Sequence, residues 1–192
     1  MGREFELKYA ATAQVHGVLL DTYGPFRAIA METTYFDTAD GALSAQKMTL
    51  RLRKENEVTV CTLKAPLPQG GLGEWECEAD ELNAGLAQLL CSGAPAHVAR
   101  LAEKGLIPVC GARFTRMAAL LPTADGTAEL ALDSGVLLGG GKEMPLCEVE
   151  LELKSGSDRA TLALAAELAE KLALTPESKS KFRRAMDLAK GE

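Results

Sequence analysis

Hydrophobic and charged residues alternate along several short stretches of this chain. In the stretches 4–8, 50–53, 74–78 and 148–153, charged and apolar residues alternate at every position. Residues two apart on a β-strand point to the same face of the sheet. Each stretch therefore predicts a strand with one fully charged face and one apolar face. Together with runs that are rich in β-branched residues, the pattern predicts strands at 3–9, 32–37, 48–54, 57–64, 72–79, 111–121, 127–133 and 146–154.

Turn residues and helical periodicity fill the segments between these strands. Glu55-Asn56 predicts a tight hairpin, and the glycine-rich stretches 66–73 and 139–141 predict further connections. Apolar residues at helical spacing, with Ser157 as a cap and Gly105 as a stop, predict helices at 12–20, 82–90, 95–104, 157–174 and 177–189. The predicted fold class is α+β, dominated by antiparallel strands.

The charged faces have two interpretations. An antiparallel sheet often keeps one face in the core and the other in water, which produces the same alternation. Solvent-facing strands usually mix Thr, Ser, Lys and Glu, however, whereas these faces are almost purely Glu or purely Arg and Lys. Rows of like charge repel and need compensation. A closed barrel with a charged interior and helices packed on its outside satisfies both faces, and such an interior is a candidate site for a metal-bound polyanion.

Composition narrows the class of protein. The chain has 192 residues, which fits one domain over 1–192, and its net charge of −6 gives no sign of a nucleic-acid partner. No run of 18 apolar residues and no leader pattern occurs in the sequence, so we expect no membrane partner and a cytoplasmic location. The five cysteines form no CxxC pair, which predicts buried structural thiols rather than a zinc site or a disulfide framework.

Three other features are weak signals of function. Gly139 to Lys142 is similar to a phosphate loop, but Glu143 stands where Ser or Thr is required, so a hairpin turn is the better interpretation. His16 and His97 lie in predicted helices without companion ligands, which predicts surface or packed histidines. The basic residues between 179 and 184 are either a solvated helix face or part of a site, with Lys181 the strongest functional candidate.

A series of short motifs follows in order along the chain. They are Glu4 to Lys8 (ExExK), Tyr35-Phe36-Asp37-Thr38 (YFDT), Leu50 to Arg53 (LRxR), Thr62-Leu63-Lys64 (TxK), Asp133-Ser134-Gly135 (DxG), Glu148 to Glu152 (ExExE) and Ser180-Lys181 with Arg184. Arg116 stands on a later basic strand. The opening ExExK pattern alone is weak, but the ordered set covers about residues 3–188 and resembles the CYTH superfamily, or triphosphate tunnel metalloenzymes.

The resemblance implies an eight-stranded antiparallel β-barrel that forms a tunnel, with helices packed outside. It also implies hydrolysis of a triphosphate with Mg²⁺ or Mn²⁺, and the overall similarity is closest to the bacterial inorganic triphosphatases. The chain departs from that branch at Glu74, where those relatives often carry arginine, so one tunnel cation is expected to be missing. The implied substrate is a small-molecule triphosphate such as inorganic triphosphate; the oligomeric state stays open.

The resemblance and the chemistry of phosphate together give candidate roles. Arginine and lysine suit a buried polyanion, and hard divalent cations take carboxylate oxygens. The substrate-binding candidates are Lys8, Arg51, Arg53, Lys64, Arg116, Lys181 and Arg184. The metal-ligand candidates are Glu4, Glu6, Glu148, Glu150 and Glu152. The catalytic candidates are Glu76, Asp133 and Lys8, with the choice between Glu76 and Asp133 for orienting the attacking water left open.

Two other functions compete with hydrolysis of inorganic triphosphate. The first is hydrolysis or cyclisation of an organic triphosphate such as ATP or thiamine triphosphate. Aromatic residues are only 5% of the chain, which disfavours a base-stacking platform, although Trp75 and Tyr35 keep it open. The second is a non-catalytic polyphosphate-binding module, which would keep the cations but would not need two complete acidic strands.

Overall fold

One antiparallel β-sheet makes up most of the protein. The computed structural model describes residues 2–3, 5–68 and 70–191, and within those residues it contains ten strands and six helices. The strands are β1 Gly2–Arg3, β2 Glu6–Ala10, β3 Arg27–Thr38, β4 Thr49–Glu55, β5 Val58–Pro66, β6 Leu72–Glu78, β7 Leu106–Pro122, β8 Thr127–Gly139, β9 Lys142–Ser155 and β10 Thr175–Pro176. The α+β class is confirmed.

The strands pair in the order β1-β6-β5-β4-β3-β7-β8-β9-β2-β10. This order is linear, so the sheet is not closed and the predicted eight-stranded barrel is not confirmed. β1 and β10 lie at the two edges, and each has only two residues. The N-terminal segment nevertheless contributes to both sides of the sheet, because β1 pairs with β6 while β2 pairs with β9.

Two tight turns follow the prediction. Glu55 pairs with Val58, so Asn56 and Glu57 form a two-residue hairpin loop in which Asn56 adopts a positive φ of 54°. Gly139 pairs with Lys142, and the intervening Gly140 and Gly141 both have positive φ. Asparagine and glycine tolerate this left-handed backbone, which explains their place in the loops. The glycine stretch is therefore a hairpin turn and not a phosphate loop.

The helices begin and end close to their predicted positions. They are α1 Ala13–Thr22, α2 Ala42–Ala45, α3 Leu82–Cys91, α4 His97–Ala102, α5 Asp158–Leu172 and α6 Lys181–Lys190. Side-chain oxygens of Thr12, Ser157 and Ser180 accept hydrogen bonds from the first turns of α1, α5 and α6, as N-caps do. Only α2 was not predicted.

The short helix α2 depends on a buried carboxylate. Asp37 is 1% exposed and accepts hydrogen bonds from the backbone N–H groups of Thr38, Leu43 and Ser44 and from the Ser44 hydroxyl. These groups satisfy the first turn of α2, which is too short to persist through its own hydrogen bonds. The YFDT segment therefore has a structural role at this end of β3.

Two hydrophobic clusters lie beneath the helices on the outer face of the sheet. α3 and α4 cover β4–β6 through a cluster that includes Leu50, Leu63 and Trp75. α1 and α5 cover β2, β8 and β9 through a cluster that includes Leu130 and Leu151. Each fully buried leucine contributes about 2 kcal/mol of hydrophobic free energy. These residues are the apolar halves of the alternating strands, so the opposite face of the same strands carries the charges.

The prediction that the cysteines are buried structural thiols is confirmed only in part. Cys61 is fully buried under α3, where a Cβ on Gly85 would lie 2.5 Å from the Cys61 Cβ, so only glycine permits this approach. Burial raises the pKa of the Cys61 and Cys110 thiols to about 12. All five thiols are free, but Cys91 is exposed. The prediction of a buried thiol is wrong for Cys91, because it lies on the outward side of the last turn of α3.

Helix α6 differs from the other helices in the face that it covers. It packs against β7 and β8 through a cluster in which Ala185 contacts the side of the sheet that carries the charges. A Cβ on Gly139 would lie 2.3 Å from the Ala185 carbonyl oxygen, which shows how closely the helix approaches β8. The prediction that the helices pack on the outside is therefore wrong for α6.

Candidate functional site

The charged faces of the strands line one cavity of about 620 Å³. Its walls are built from alternate residues of β2 to β9 and from the first turn of α6. Since side chains two apart share a face, the period-2 pattern of the sequence places the charges here and the leucines outside. The ionisable residues of the wall are Glu6, Lys8, Arg27, Arg51, Arg53, Glu55, Lys64, Glu74, Glu76, Arg116, Glu129, Glu150, Glu152, Lys154 and Lys181.

A buried ion cluster occupies one side of the cavity. We use this name for three carboxylates and three cations, namely Asp133, Glu148, Glu150, Arg116, Lys181 and Arg184. Arg116 forms a two-pronged pair with Asp133 at 2.8 and 2.7 Å and also contacts Glu150 at 2.5 Å. Asp133 and Glu148 are fully buried.

Lys181 stands between the three carboxylates of this cluster. Its Nζ lies 2.8 Å from Asp133 Oδ2, 2.6 Å from Glu148 Oε2 and 2.5 Å from Glu150 Oε1. Arg184 adds a contact with the other oxygen of Glu148. Three formal negative charges therefore face three formal positive charges, which is the pairing that buried ions require.

The pKa values of Glu150 and Lys181 are shifted toward their charged forms. Burial by itself would raise the pKa of Glu150, but the attraction of Lys181 and Arg116 outweighs it and lowers that pKa. Burial likewise opposes the charge of Lys181, but Glu150, Asp133 and Glu148 hold its pKa well above the usual value. Lys181 consequently keeps its proton throughout the physiological range and acts as a fixed positive charge.

An open cradle occupies a different part of the wall. We use this name for the cations Arg51, Arg53 and Lys64 with the carboxylates Glu74 and Glu76. Lys64 Nζ lies 3.3 Å from Glu74, while Arg51 lies 3.7 Å from both Glu74 and Glu76. Arg53 is held by Glu55, and its pKa is lowered by burial and by the neighbouring Arg51. The pairs of Lys64 and Arg51 are longer than those of the buried ion cluster.

Strand register explains how the cradle forms. Arg51 pairs with Thr62 and Thr62 with Glu76, while Lys64 pairs directly with Glu74. Thr62 Oγ1 donates a 2.8 Å hydrogen bond to Glu76, whose side chain is 44% exposed. Glu74 is therefore inside the cavity and contributes a negative charge next to two candidate phosphate-binding cations.

A third group of charges surrounds β2. Glu6 pairs with Glu152 across β2 and β9, and Glu152 pairs with Glu129 across β9 and β8, so three carboxylates stand in one cross-strand row. Lys154 lies 2.8 Å from Glu152 and Lys8 lies 3.6 Å from Glu6. Glu4, predicted as a metal ligand, lies outside the described residues.

Several residues of the cavity wall were not predicted from the sequence. Arg27, Glu129 and Lys154 line the cavity but fell outside the motifs. Arg27 had a weak signal, because Arg27, Ile29 and Met31 alternate with alanines, and alanine is a poor indicator of a strand. Phe182 also lines the cavity and lies 5.1 Å from Tyr35 between ring centroids. No local pattern indicated this contact across the fold.

The predicted catalytic residues have different surroundings. Both carboxylate oxygens of Asp133 are engaged by Arg116, and its side chain is fully buried. Glu76 instead has a solvent-accessible carboxylate that accepts one hydrogen bond from Thr62. Lys8 pairs with Glu150 in the strand register and contacts Glu6. Among these candidates, Glu76 has the carboxylate that water can reach.

The carboxylates of the buried ion cluster fit a divalent cation. Asp133, Glu148 and Glu150 each offer one oxygen, and these oxygens lie within 4.8 Å of one another. Mg²⁺ and Mn²⁺ prefer such hard oxygen ligands. An ion held by these three residues would take the place that the Lys181 ammonium group occupies. Asp133, which was predicted as catalytic, thus joins two of the predicted metal ligands.

The surroundings of His16 test the prediction of a surface or packed histidine. This residue is 8% exposed, and its Nε2 lies 2.9 Å from the backbone carbonyl oxygen of Glu148, while Cys147 Sγ lies 3.7 Å away. It is therefore a packed histidine, on the helix-covered side of β9. Its contact fixes the backbone at Glu148.

Comparisons with known proteins agree with this arrangement. The sequence profile of the CYTH domain matches residues 2–186. A protein named inorganic triphosphatase from Haemophilus influenzae is 31% identical over 172 residues, which are 82% of this chain and 47% of that protein. This chain belongs to the CYTH domain family. It spans about half the length of that curated relative.

Solved structures show the same fold. A protein from Hippeastrum, described as an adenylyl cyclase candidate with a dominant triphosphatase activity, has a TM-score of 0.68 at 22% identity, covering 98% of this chain and 96% of its own. A candidate adenylate cyclase from Bacillus halodurans has a TM-score of 0.64 at 21% identity, covering 96% and 98%. None of the described helices is long and apolar enough to cross a membrane.

Proposed function

We propose that this chain hydrolyses inorganic triphosphate to pyrophosphate and phosphate, with the help of a divalent cation. The observation that carries the proposal is the cavity, in which cations from β4, β5, β7 and α6 face buried carboxylates. Transfer of a phosphoryl group needs positioning and charge stabilisation more than a covalent nucleophile. The similarity to a protein named inorganic triphosphatase supports the same substrate.

The same proposal includes closure of the sheet around the cavity. The N-terminal segment pairs with β6 through β1 and with β9 through β2, which brings the two sides of the sheet to one segment. Lining residues also come from every strand between β2 and β9. A barrel of this kind excludes bulk water, which strengthens the interaction of its cations with phosphate.

Each group of charges receives one role. Arg51, Arg53 and Lys64 bind phosphate oxygens. Each arginine can donate two parallel hydrogen bonds to one phosphate group. Glu76 orients the attacking water, because its carboxylate is accessible and Thr62 fixes its position. The water oxygen bonds to the terminal phosphorus while Glu76 accepts one of the water protons. The bridging P–O bond breaks, its electron pair leaves with pyrophosphate, and Glu76 then returns the proton to solvent or product. Lys181 Nζ, fixed in its charged form, stabilises the negative charge that develops nearby.

The divalent cation is assigned to the carboxylates of this chain. Asp133, Glu148 and Glu150 fit it best, with Glu6 and Glu152 as additional acidic residues of the wall. When bound, the cation neutralises phosphate charge and lowers the pKa of coordinated water. Because Lys181 Nζ lies between these carboxylates, it must move away for the cation to bind there. Phosphate oxygens of the substrate then become the new partners of its ammonium group.

An organic triphosphate is the second candidate substrate. The observation that favours it is the Tyr35–Phe182 pair, since both rings belong to the cavity wall and aromatic faces stack on bases. Replacing Phe182 with leucine separates the two candidates. Loss of ATP or thiamine triphosphate turnover with inorganic triphosphate turnover unchanged would favour the organic substrate.

Phosphate release from inorganic triphosphate, ATP, thiamine triphosphate and pyrophosphate tests the proposal directly. We expect release from inorganic triphosphate with Mg²⁺ or Mn²⁺, none in EDTA, and a loss of about 100-fold in kcat/KM for Glu76→Gln. Glu78→Gln, on the same strand but outside the cavity wall, is the matched control. A folded protein that binds tripolyphosphate without any turnover would instead be a binding module.

A further inference from the structure

Arg27 differs from the other cations that line the cavity. Lys8, Lys64 and Lys154 each contact a carboxylate, as do Arg51, Arg53, Arg116 and Lys181. Within the described part of the chain, the Arg27 side chain makes no hydrogen bond or ion pair. An anion that reaches Arg27 therefore gains a partner without displacing a carboxylate.

The backbone at Arg27 is held in place although its side chain is exposed. Arg27 pairs with Ala118 of β7, and the preceding Phe26 packs into the cluster beneath α1 and α5. Ile29, two residues further along β3, is buried on the same face as Arg27. The paired strand thus directs the Arg27 side chain into the cavity, and only the side-chain rotamer is free to change.

Strand register places Arg27 at the end of the cavity wall opposite the cradle. On β3, Ile29 pairs with Arg116 of β7, while Thr33 pairs with Arg53 and Tyr35 with Arg51 of β4. At about 3.3 Å per residue, Arg27 stands roughly 7 Å beyond Ile29 and roughly 20 Å from Thr33 along the strand. The Arg116 position therefore lies between Arg27 and the cradle.

We propose that Arg27 binds the phosphate group of a linear polyphosphate that lies farthest from Arg51 and Arg53. This inference rests on the proposed function for the rest of the substrate. Arg27 has no side-chain partner to release among the described residues, and it stands roughly 20 Å along the strand from the cradle, where the proposed attack takes place. It therefore contributes equally to the ground state and the transition state. Such a contact changes KM and leaves kcat unaltered. It also favours a triphosphate over a pyrophosphate, because each added phosphate extends the chain from the cradle toward Arg27.

The test combines calorimetric binding with kinetics. Tripolyphosphate and pyrophosphate are titrated in EDTA into the whole chain carrying Arg27→Gln, Arg27→Lys or Arg100→Gln. Arg100 is also an exposed arginine without a partner among the described residues, and it lies on α4 outside the cavity, so it controls for net charge. We expect Arg27→Gln to weaken tripolyphosphate binding about tenfold and pyrophosphate binding less than twofold. Arg27→Lys should restore part of the affinity.

Steady-state kinetics on triphosphate should show the same loss in KM with unchanged kcat. The inference is overturned if Arg27→Gln binds tripolyphosphate as Arg100→Gln does, if both ligands lose equal affinity, or if kcat falls at constant KM. Wild-type protein that hydrolyses no triphosphate would refute the proposed function. A length-dependent binding loss in Arg27→Gln would still support the role of Arg27 in that case.

Discussion

The buried ion cluster and the open cradle use the same residue types in different ways. In the cluster, Lys181 contacts three carboxylates at 2.5 to 2.8 Å, and its own side chain is 11% exposed. In the cradle, Lys64 and Arg51 lie 3.3 and 3.7 Å from Glu74, and the Glu76 side chain is 44% exposed. The first group has its charges matched at close range. In the second, the pairs of Lys64 and Arg51 with the two glutamates are longer, although Arg53 is held closely by Glu55.

The difference in pairing suits the two groups of charges to different tasks in an anion-binding cavity. Breaking a buried pair leaves an uncompensated charge, so the cluster stays assembled without cation and substrate, and Lys181 leaves its carboxylates only when phosphate oxygens replace them as partners. A long, partly exposed pair contributes little by itself, so phosphate oxygens can replace the carboxylate at small cost. We therefore expect changes in the cluster to affect stability and kcat, and changes in the cradle to affect KM, except at Glu76, which orients the attacking water.

Replacing Lys181 with methionine is expected to have the largest effect. The variant removes the cation shared by three buried carboxylates, and we expect a loss of about 3 kcal/mol in the free energy of unfolding. Loss of the charge near the reacting phosphate should lower kcat/KM about 1000-fold. Urea denaturation and phosphate release measure the two effects.

Lys179→Met is the matched control for this substitution. Lys179 forms a 2.8 Å pair with Asp187, but its side chain is 57% exposed and lies outside the cavity wall. We expect a change of less than about 1 kcal/mol and normal turnover. Equal stability losses in the two lysine variants would mean that the cluster is no tighter than a surface pair.

Acid unfolding tests the cluster through Glu150. Burial opposes its charge, but Lys181 and Arg116 lower its pKa below the unfolded value of about 4.3. A lowered carboxyl pKa contributes stability above the unfolded pKa, and this contribution is lost as the pH falls through the folded pKa. Urea unfolding in EDTA between pH 7 and pH 3 should therefore show a declining free energy below about pH 5.

The Glu150→Gln variant should show a shallower decline over the same range. Glu167→Gln, in an exposed pair with Lys171 on α5, should keep the wild-type slope. If Glu150→Gln also kept the full slope, other groups would carry the acid dependence. Glu150 would then have no role in it.

Replacing Glu74 with glutamine is expected to have the smallest effect, and in the direction of tighter binding. The substitution removes a carboxylate that competes with phosphate for Lys64 and Arg51. We expect KM for triphosphate to fall about threefold to fivefold at unchanged kcat, since pairs as long as those of Glu74 contribute little by themselves. Glu78→Gln controls for the lost charge. A higher KM in Glu74→Gln would show that Glu74 assists binding instead of competing with it.

Particular elements show how far the sequence predicted this molecule. The alternation at 50–53, 74–78 and 148–153 predicted both the strands and the side of each strand that carries charge, because a period of two is set by backbone geometry alone. Asn56 and the glycines at 140 and 141 predicted their turns, because left-handed backbone favours these residues. Helix α2 was missed, since its first turn depends on contacts from Asp37.

Local sequence therefore determined the strands, the faces of the strands and the set of charged residues that share the cavity. Only the tertiary structure decided which charges pair. The sequence could not show that α6 packs on the cavity side, that Lys181 stands among Asp133, Glu148 and Glu150, or that Arg27 lacks a carboxylate partner among the described residues. The physical reason is that strand periodicity acts over neighbouring residues, whereas ion pairing depends on strand order and helix packing between distant segments.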